Sequence, residues 1–311
     1  MTLTMADAAA YGGFDDFQSG LYKRFTEISP ALEFLPWKQI QGNSLTYTVE
    51  DSLPTAAWRP VNGTTSSTNG TANKVTEELK IIYAQGQLDK YLVKTQGGQQ
   101  GAVDMKVALW DGLAQAVSNS FDQGFWEGDE VVDVNSIAGM RQRITGNQAI
   151  TVTTNGGPLT IDLLDRTIDA VPFSSRHIFM NRFTRRKLNA LLRATGTSVQ
   201  MIMTPNEVGR QPEMYNDCQI HIVERTGDAS TILGFDEVCG SSSVTASLYV
   251  VAFGDDLTHG IYAGDAPGGL DVTDFGELQT QPQMLGRLEL YVGIVKKHDR
   301  AAARLRGITE A

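Results

Sequence analysis

The segment at 43–94 constrains the fold most, because it joins two strand patterns by a polar stretch that no compact domain would bury. In both patterns apolar and polar residues alternate, which is typical of half-buried strands. The apolar positions are Leu45, Tyr47 and Val49 on the way out and Leu79, Ile81 and Tyr83 on the way back. The connecting residues 62–73 are almost entirely Gly, Ser, Thr and Asn. Because an isolated two-stranded hairpin is only marginally stable in water, we expect this arm to lie on a neighbouring copy of the chain.

The composition limits the class of protein. The chain has 311 residues, of which 41% are hydrophobic, so it can form one large domain or two ordinary ones. Its formal net charge of −10 argues against a role in gripping nucleic-acid phosphates, which needs a basic face. No segment approaches the roughly 20 apolar residues of a membrane span, and the first residues lack the pattern of a signal peptide. We therefore expect no membrane partner.

Two helical patterns flank the arm. In residues 1–35 the apolar residues are spaced three and four apart, which predicts a short amphipathic helix that ends at Ser29-Pro30. Its apolar positions are Phe14, Phe17, Leu21, Phe25 and Ile28. This helix docks either on the chain's own core or on a neighbour, and the sequence leaves both open. A longer apolar stripe predicts a core-packing helix at 99–126, on the order of 40 Å long. Its polar face is predicted to carry Asp104, Lys106, Asp111, Gln115, Asn119 and Asp122.

The rest of the chain mixes helix and strand patterns, so the predicted fold class is α+β. Helices are expected at 160–170 and at 181–194, the second of which is basic. Strands are expected at 150–154, 177–180, 219–223, 247–252 and 285–296. In the last strand we expect one buried face, formed by Leu288, Leu290, Val292 and Ile294.

Charge is segregated along the chain. The stretch 227–286 contains no Lys or Arg, whereas the end of the chain is basic. Patches of opposite sign suit head-to-tail contacts between identical subunits, although most of the acidic residues can equally form a solvated face. The basic helix could touch nucleic acid, but in an acidic chain such a helix is more often paired with acidic neighbours.

No motif of known catalytic chemistry is present. The sequence has no phosphate-binding loop, dinucleotide fingerprint or nucleophile elbow, and we predict no catalytic, cofactor or metal residue. The four histidines, His177, His221, His259 and His298, have no metal-ligand spacing and are expected to be packed or on the surface. Carboxylates cluster at 254–274 but lack the EF-hand order, which disfavours an ion site. Cys218 and Cys239 are expected to be free thiols, although the sequence leaves a disulfide open.

The order of these elements resembles the major capsid protein of tailed bacteriophages, the Hong Kong 97-type coat fold. The resemblance covers nearly the whole chain and rests on family-like patterns at 35–38, 103–125, 179–189, 249–254, 260–264 and 291–305. It implies an N-terminal arm at 1–35, an extended loop at 43–94, and an axial domain at 134–284. It also implies a peripheral domain, which is formed by residues 36–42, 95–133 and 285–311. The spine helix of this domain is expected at 99–126.

The resemblance further implies a non-enzymatic subunit that assembles into pentamers and hexamers of an icosahedral shell around double-stranded DNA. The expected location is the virion capsid, with assembly in the host bacterial cytoplasm. Expected partners are the chain itself, a portal, a separate scaffolding protein and a decoration protein, with DNA adjacent but not bound sequence-specifically. The N-terminal arm at 1–35 begins almost at the first residue, with no long scaffold region before it. This favours a separate scaffolding protein, or none, over a covalently linked one. Interface residues are expected to be Trp58, Leu79, Ile81, Tyr83, Phe14 and Phe17.

The sequence is also compatible with two functions other than a viral capsid subunit. An encapsulin-type nanocompartment resembles the same fold but encloses a cargo enzyme, and a cargo-binding peptide would favour it. An enzyme with an unrecognised site would instead be a monomer with measurable turnover.

Overall fold

A computed structural model describes residues 29–91, 98–194, 213–224, 231–264 and 269–310. Its helices are α1 Pro30–Phe34, α2 Gly98–Glu127, α3 Met140–Arg143, α4 Ile161–Asp169 and α5 Arg182–Ala194, with 3₁₀ turns at Gly146–Gln148 and Asp299–Ala301. The first strands are β1 Trp37–Gln39, β2 Ser44–Ser52, β3 Thr71–Glu78, β4 Lys80–Asp89, β5 Ala149–Thr151 and β6 Arg176–Met180. The others are β7 Met214–Tyr215, β8 Cys218–Ile222, β9 Glu237–Cys239, β10 Ser242–Ala252, β11 Thr258–Tyr262, β12 Leu270–Glu277, β13 Gln283–Lys296 and β14 Ala302–Ile308.

The first sheet is built around β13 and contains β1, β4, β11 and β12 as well. Strand β4 pairs with residues 283–292 of β13, β12 with residues 284–290, and β11 with residues 292–296, all antiparallel. The predicted buried face of β13 is confirmed, since Leu288, Leu290, Val292 and Ile294 are all fully buried. Burying each such side chain contributes about 1.5–3 kcal/mol before entropy is counted.

Helix α2 lies across the inner face of the first sheet and contributes a continuous stripe of buried side chains to this core. Its buried side chains include Trp110, Leu113, Val117, Phe121 and Phe125, as the stripe predicted. Close packing depends on the glycine pair formed by Gly86 of β4 and Gly286 of β13. A Cβ at Gly86 would lie 2.6 Å from Leu109 Cδ1, and one at Gly286 would lie 2.8 Å from Trp110 Cζ2. The helix therefore sits closer to these strands than any side chain would allow.

The second sheet has the strand order β5-β14-β10-β6-β8-β7, with β9 also paired to β10. Helices α4 and α5 cover it through Leu164, Ile168, Leu188 and Leu192, which are buried against Ile178 and Met180 of β6 and their neighbours. Thr160 caps α4 by accepting a hydrogen bond from the Leu163 N–H at 3.3 Å, which confirms the predicted helix start. The sequence patterns at 177–180, 181–194, 219–223 and 247–252 also correspond to β6, α5, β8 and β10.

The extended arm differs from the prediction in its pairing. Strand β2 pairs with β3, from Ser44 opposite Glu78 to Ser52 opposite Thr71, and not with the segment 79–83. Residues 80–89 form β4 and join the first sheet instead. The physical reason is that the apolar residues 81–84 lie on both faces of β4. Ile82 and Ala84 pack on the core, whereas Ile81 and Tyr83 are exposed on the other face.

Sheet membership does not follow the boundary that the resemblance implied at 284. Strands β11 and β12 precede this boundary but pair with β13, and β14 follows it but pairs with β10 in the second sheet. The division into arm, loop, peripheral and axial domains stays a prediction. The predicted helix at 14–28 lies outside the described residues. No described helix combines the length and apolarity that crossing a bilayer requires.

Candidate assembly surface

Within the predicted extended loop at 43–94, residues 44–78 form the β2–β3 hairpin, which has a long exposed tip at 53–70. Within the tip, Trp58, Val61 and Leu53 have no cover from their own chain, and Trp58 is fully exposed. An indole is the most costly side chain to leave in water, so its position at the end of an arm points to contact with another molecule. The tip keeps its shape through polar contacts, since Thr55 N–H donates to Thr68 Oγ1 at 2.9 Å.

The loop is held at its base by a charged cluster. Arg143 donates from Nη1 to Glu77 Oε1 at 2.5 Å and from Nη2 to Glu77 Oε2 at 2.6 Å. Both side chains are largely buried, and such two-pronged pairs fix orientation as well as distance. Lys296 Nζ donates to the Arg143 carbonyl at 3.0 Å, which ties the cluster to β13.

Tyr47 of β2 completes this base. Its hydroxyl lies 3.3 Å from both Glu77 Oε1 and the Lys296 carbonyl. Burial, followed by the negative charge of Glu77, raises the pKa of Tyr47 to about 12, so the phenol keeps its proton and donates. Sequence reasoning assigned Tyr47 to the half-buried face correctly but gave no signal for Glu77 and Arg143, which are 66 residues apart.

The outer face of the first sheet, turned away from α2, carries exposed apolar side chains. Ile81 is 60% exposed and Tyr83 is 69% exposed, and they stand opposite Tyr291 and Glu289 in the register of β13. Leu79 is half-buried between β3 and β4. The structure therefore brings Ile81 and Tyr83 onto one surface and places Trp58 on the distant tip. Their role as interface residues stays a prediction, and Phe14 and Phe17 lie outside the described residues.

Ser29, which precedes α1, forms two buried hydrogen bonds. Ser29 Oγ accepts from the Leu32 N–H at 3.2 Å and donates to Asp122 Oδ1 of α2. Burial raises the pKa of Asp122 to about 7, and the hydrogen bond from Ser29 opposes this rise. Asp122 and Asn119 were predicted on the polar face of α2, but both are buried because α1 packs there.

Phe34, at the end of α1, lies between two histidines that are far apart in sequence. Its ring centroid is 4.7 Å from that of His177 and 4.4 Å from that of His221, and His177 Nδ1 lies 3.1 Å from His221 Nε2. Burial lowers both pKa values, that of His221 to about 3, so this pair is neutral at physiological pH. His259 is buried and His298 is exposed. Among the described residues, no group of three or more His, Cys, Asp or Glu could hold a metal ion.

Several charged side chains elsewhere pair within the chain. In the basic helix α5, Arg182 pairs with Glu224 at 2.5 Å and Arg185 with Glu213 at 3.2 Å, as expected for a basic helix in an acidic chain. Arg304 of β14 is buried and donates to Glu237 Oε2 at 2.7 Å. Cys218 and Cys239 are buried free thiols.

Comparisons with known proteins agree with this geometry. The family model described as "GP7: Major capsid protein GP7" matches residues 23–159, which include the extended loop and α2. No curated protein sequence matches the chain.

The fold matches several solved structures at low sequence identity. The encapsulin of the holo-SrpI complex from Synechococcus elongatus PCC 7942 is 13% identical, with TM-score 0.63, over 91% of this chain and 89% of that one. A chain from the capsid of a native GTA particle is 13% identical, with TM-score 0.59, over 92% and 91%. A chain of Microbacterium phage Oxtober96 is 14% identical, with TM-score 0.59, over 99% of each.

These findings confirm the predicted α+β fold of the Hong Kong 97 type. The family match over residues 23–159 agrees with the predicted class, a shell-forming capsid subunit.

Proposed function

We propose that copies of this chain assemble into pentamers and hexamers and close into an icosahedral shell around double-stranded DNA. The observation that carries the proposal is the extended loop, which is anchored at Glu77 and Arg143 but exposes Trp58, Val61 and Leu53 at its tip. A rigidly anchored arm with an uncovered apolar end gains stability only by contacting another subunit. Closed symmetry then repeats this weak contact around the shell.

The proposed role is structural and not enzymatic. The subunit would act in the virion capsid after assembly in the host bacterial cytoplasm, with a portal and a separate scaffolding protein as partners. A decoration protein would bind the outside of the shell. The chain carries 36 acidic and 26 basic residues, which suits a wall that lies next to DNA without gripping it.

Deletion of residues 55–73 tests the proposal. The deletion removes most of the tip and the first three residues of β3, but it leaves the two large sheets and the Glu77–Arg143 anchor. We therefore expect folded, soluble subunits that do not form stable shells. Negative-stain electron microscopy and sedimentation measure this. The matched control replaces two exposed polar tip residues, Ser66→Ala with Ser67→Ala, and should form normal shells. Normal shells from the deletion variant would refute a role for the loop in assembly.

A cargo compartment is the second candidate, because the fold also matches the Synechococcus elongatus encapsulin with TM-score 0.63. The contents of purified particles distinguish the two functions. Nuclease-protected DNA in particles from the native source supports the genome container. A co-purifying enzyme bound through a short peptide supports the compartment.

A further inference from the structure

The tip of the extended loop has an unusual chemical make-up. Arg59 is the only charged residue in 53–70, and it stands between Trp58 and Pro60. All three are exposed, and Arg59 Nη1 donates to the Gly63 carbonyl at 3.1 Å. The tip thus presents an indole and a guanidinium side by side. A complementary surface needs an apolar contact and negative charge in the same place.

The described part of the chain contains such a surface at the C-terminal end of α2. An open cleft of about 760 Å³ lies there, lined among others by Glu127, Asp129, Val132 and Asp133. Val132 lines the cleft and is 85% exposed, and two further valines of the same loop, Val131 and Val134, are 86% and 74% exposed. We call residues 127–136 with this cleft the valine cleft.

The exposed valines sit on a loop that is firmly held. The Asp129 and Asp133 carboxylates accept from the N–H groups of Val131 and Asn135 at 2.8 and 2.9 Å. At the base, Gly139 N–H donates to the Gly128 carbonyl at 2.9 Å, where a Cβ on Gly128 would lie 2.1 Å from the Ile137 carbonyl oxygen. A loop built this tightly presents its valines to a partner in a fixed position.

The cleft also has negative charge to offer. It is lined by three carboxylates and two arginines, and Arg304 is already bound to Glu237. Arg141 lies beside Glu127, and Lys80 lies 3.6 Å from Glu130 of the same loop. Asp129 and Asp133, by contrast, have no cation within 4 Å among the described residues. Helix α2 ends here with no basic residue in its last turn, so its carbonyl end also favours a cation. Burial, and then the charge of Asp236, raises the pKa of Glu127 to about 7, which an arriving cation would lower.

The outer face of the first sheet is the competing surface, and its acidic group is already occupied. Glu289 accepts from the Tyr291 hydroxyl at 2.7 Å, and Arg287 lies 3.5 Å from Glu289 while its guanidinium carbon lies 4.9 Å from the Phe275 ring centre. That face therefore has less to gain from a new guanidinium.

We propose that the valine cleft of one subunit receives Trp58 and Arg59 of a second copy of this chain, with the indole on the valines and the guanidinium on the carboxylates. This inference rests on the proposed shell function and names the receptor for its arm.

Cross-linking in assembled particles tests the contact. The variant carries Ala57→Cys beside the tip indole and Val132→Cys at the cleft, and the natural cysteines are buried. The matched control combines Ala57→Cys with Val244→Cys, an exposed valine on β10. With a short bis-maleimide, we expect the cleft variant to give ladders of covalent oligomers on denaturing gels and the control to give none.

The outcomes distinguish failure of the valine cleft as the receptor from failure of the proposed shell function. Shells of normal appearance in which the cleft pair cross-links no better than the control pair would overturn the valine cleft while leaving the shell function intact. A wild-type chain that forms no shells would overturn both.

A charge cycle gives a second readout that needs no cysteine. Asp133→Asn retains an oxygen for the Asn135 N–H, and Arg59→Gln removes the tip cation. We expect each variant to weaken subunit association about two- to fivefold, as an exposed ion pair does. The double variant should then be no weaker than either single variant. Fully additive losses would show that the two residues do not meet.

Discussion

At the scale of single residues, Asp122 links Ser29, the residue before α1, to the C-terminal part of α2. Its carboxyl is buried, and its pKa is raised from 3.8 to about 7. The folded protein therefore holds this proton more tightly than the unfolded chain does. Stability from this group is greatest at acidic pH, falls as pH rises from about 4 to about 7, and is level above that.

Asp122→Asn should remove this dependence, because the amide keeps an oxygen for Ser29 but cannot ionise. We expect its free energy of unfolding at pH 8 to exceed that of the wild type by about 1–2 kcal/mol, with the difference shrinking toward pH 5. Urea unfolding of dissociated subunits at both values measures it. The exposed Asp169→Asn serves as control. A variant that unfolds more easily at pH 8 would mean that the charged carboxylate is stabilising.

The sequence could not reveal these residues, because their roles come from distant contacts. On α2, Asn119 and Asp122 fit a solvated face by periodicity, and only the position of α1 shows that they are buried. The anchor of Glu77 to Arg143 likewise has no local pattern. By contrast, the exposure of Trp58 follows from its setting in a long polar stretch, so the sequence alone placed it on a surface.

At the scale of elements, local periodicity predicted the helices and most buried strands well. The stripe at 99–126 became α2, and Thr160 marked the start of α4. Strands β11 and β12 were missed, because they lie in a stretch rich in Gly and Asp whose strand character comes from pairing with β13. The predicted partner of β4 was also wrong, because β4 pairs with β13, which lies about 200 residues further along the chain.

The contact between α2 and the first sheet gives a prediction at this scale. Gly86→Ala places a Cβ 2.6 Å from Leu109 Cδ1, so we expect it to lower the free energy of unfolding by about 1–3 kcal/mol. Gly112→Ala is the matched control, because a Cβ there meets nothing within 4 Å and α2 gains helix propensity. It should raise stability by about 0.5–1 kcal/mol. Thermal unfolding of both variants measures the contrast, and equal shifts would show that the helix can move away.

At the scale of the whole molecule, the two sheets are bound together by the chain's path. After β13 in the first sheet, the chain crosses to β14 in the second, while β11 and β12 return from β10 to the first. The first sheet thus combines strands from residues 37–89 with strands from 258–296, and the second combines strands from 149–252 with the last strand of the chain. This interleaving explains why composition and periodicity suggested the order of the elements but not their sheet membership.

Net charge sets the behaviour of the whole particle toward DNA. The chain has a formal charge of −10, and the described arginines nearest to a DNA-binding pattern, on α5, are partly committed to Glu213 and Glu224. A protein that neutralises phosphates binds DNA with an affinity that falls steeply as salt rises. We therefore expect neither subunits nor shells to retard double-stranded DNA at micromolar concentration in about 0.1 M salt. Electrophoretic mobility shift and sedimentation with labelled DNA measure this. Salt-sensitive binding that disappears in the variant Arg186→Glu with Lys187→Glu would contradict the expectation and locate a phosphate-binding face on α5.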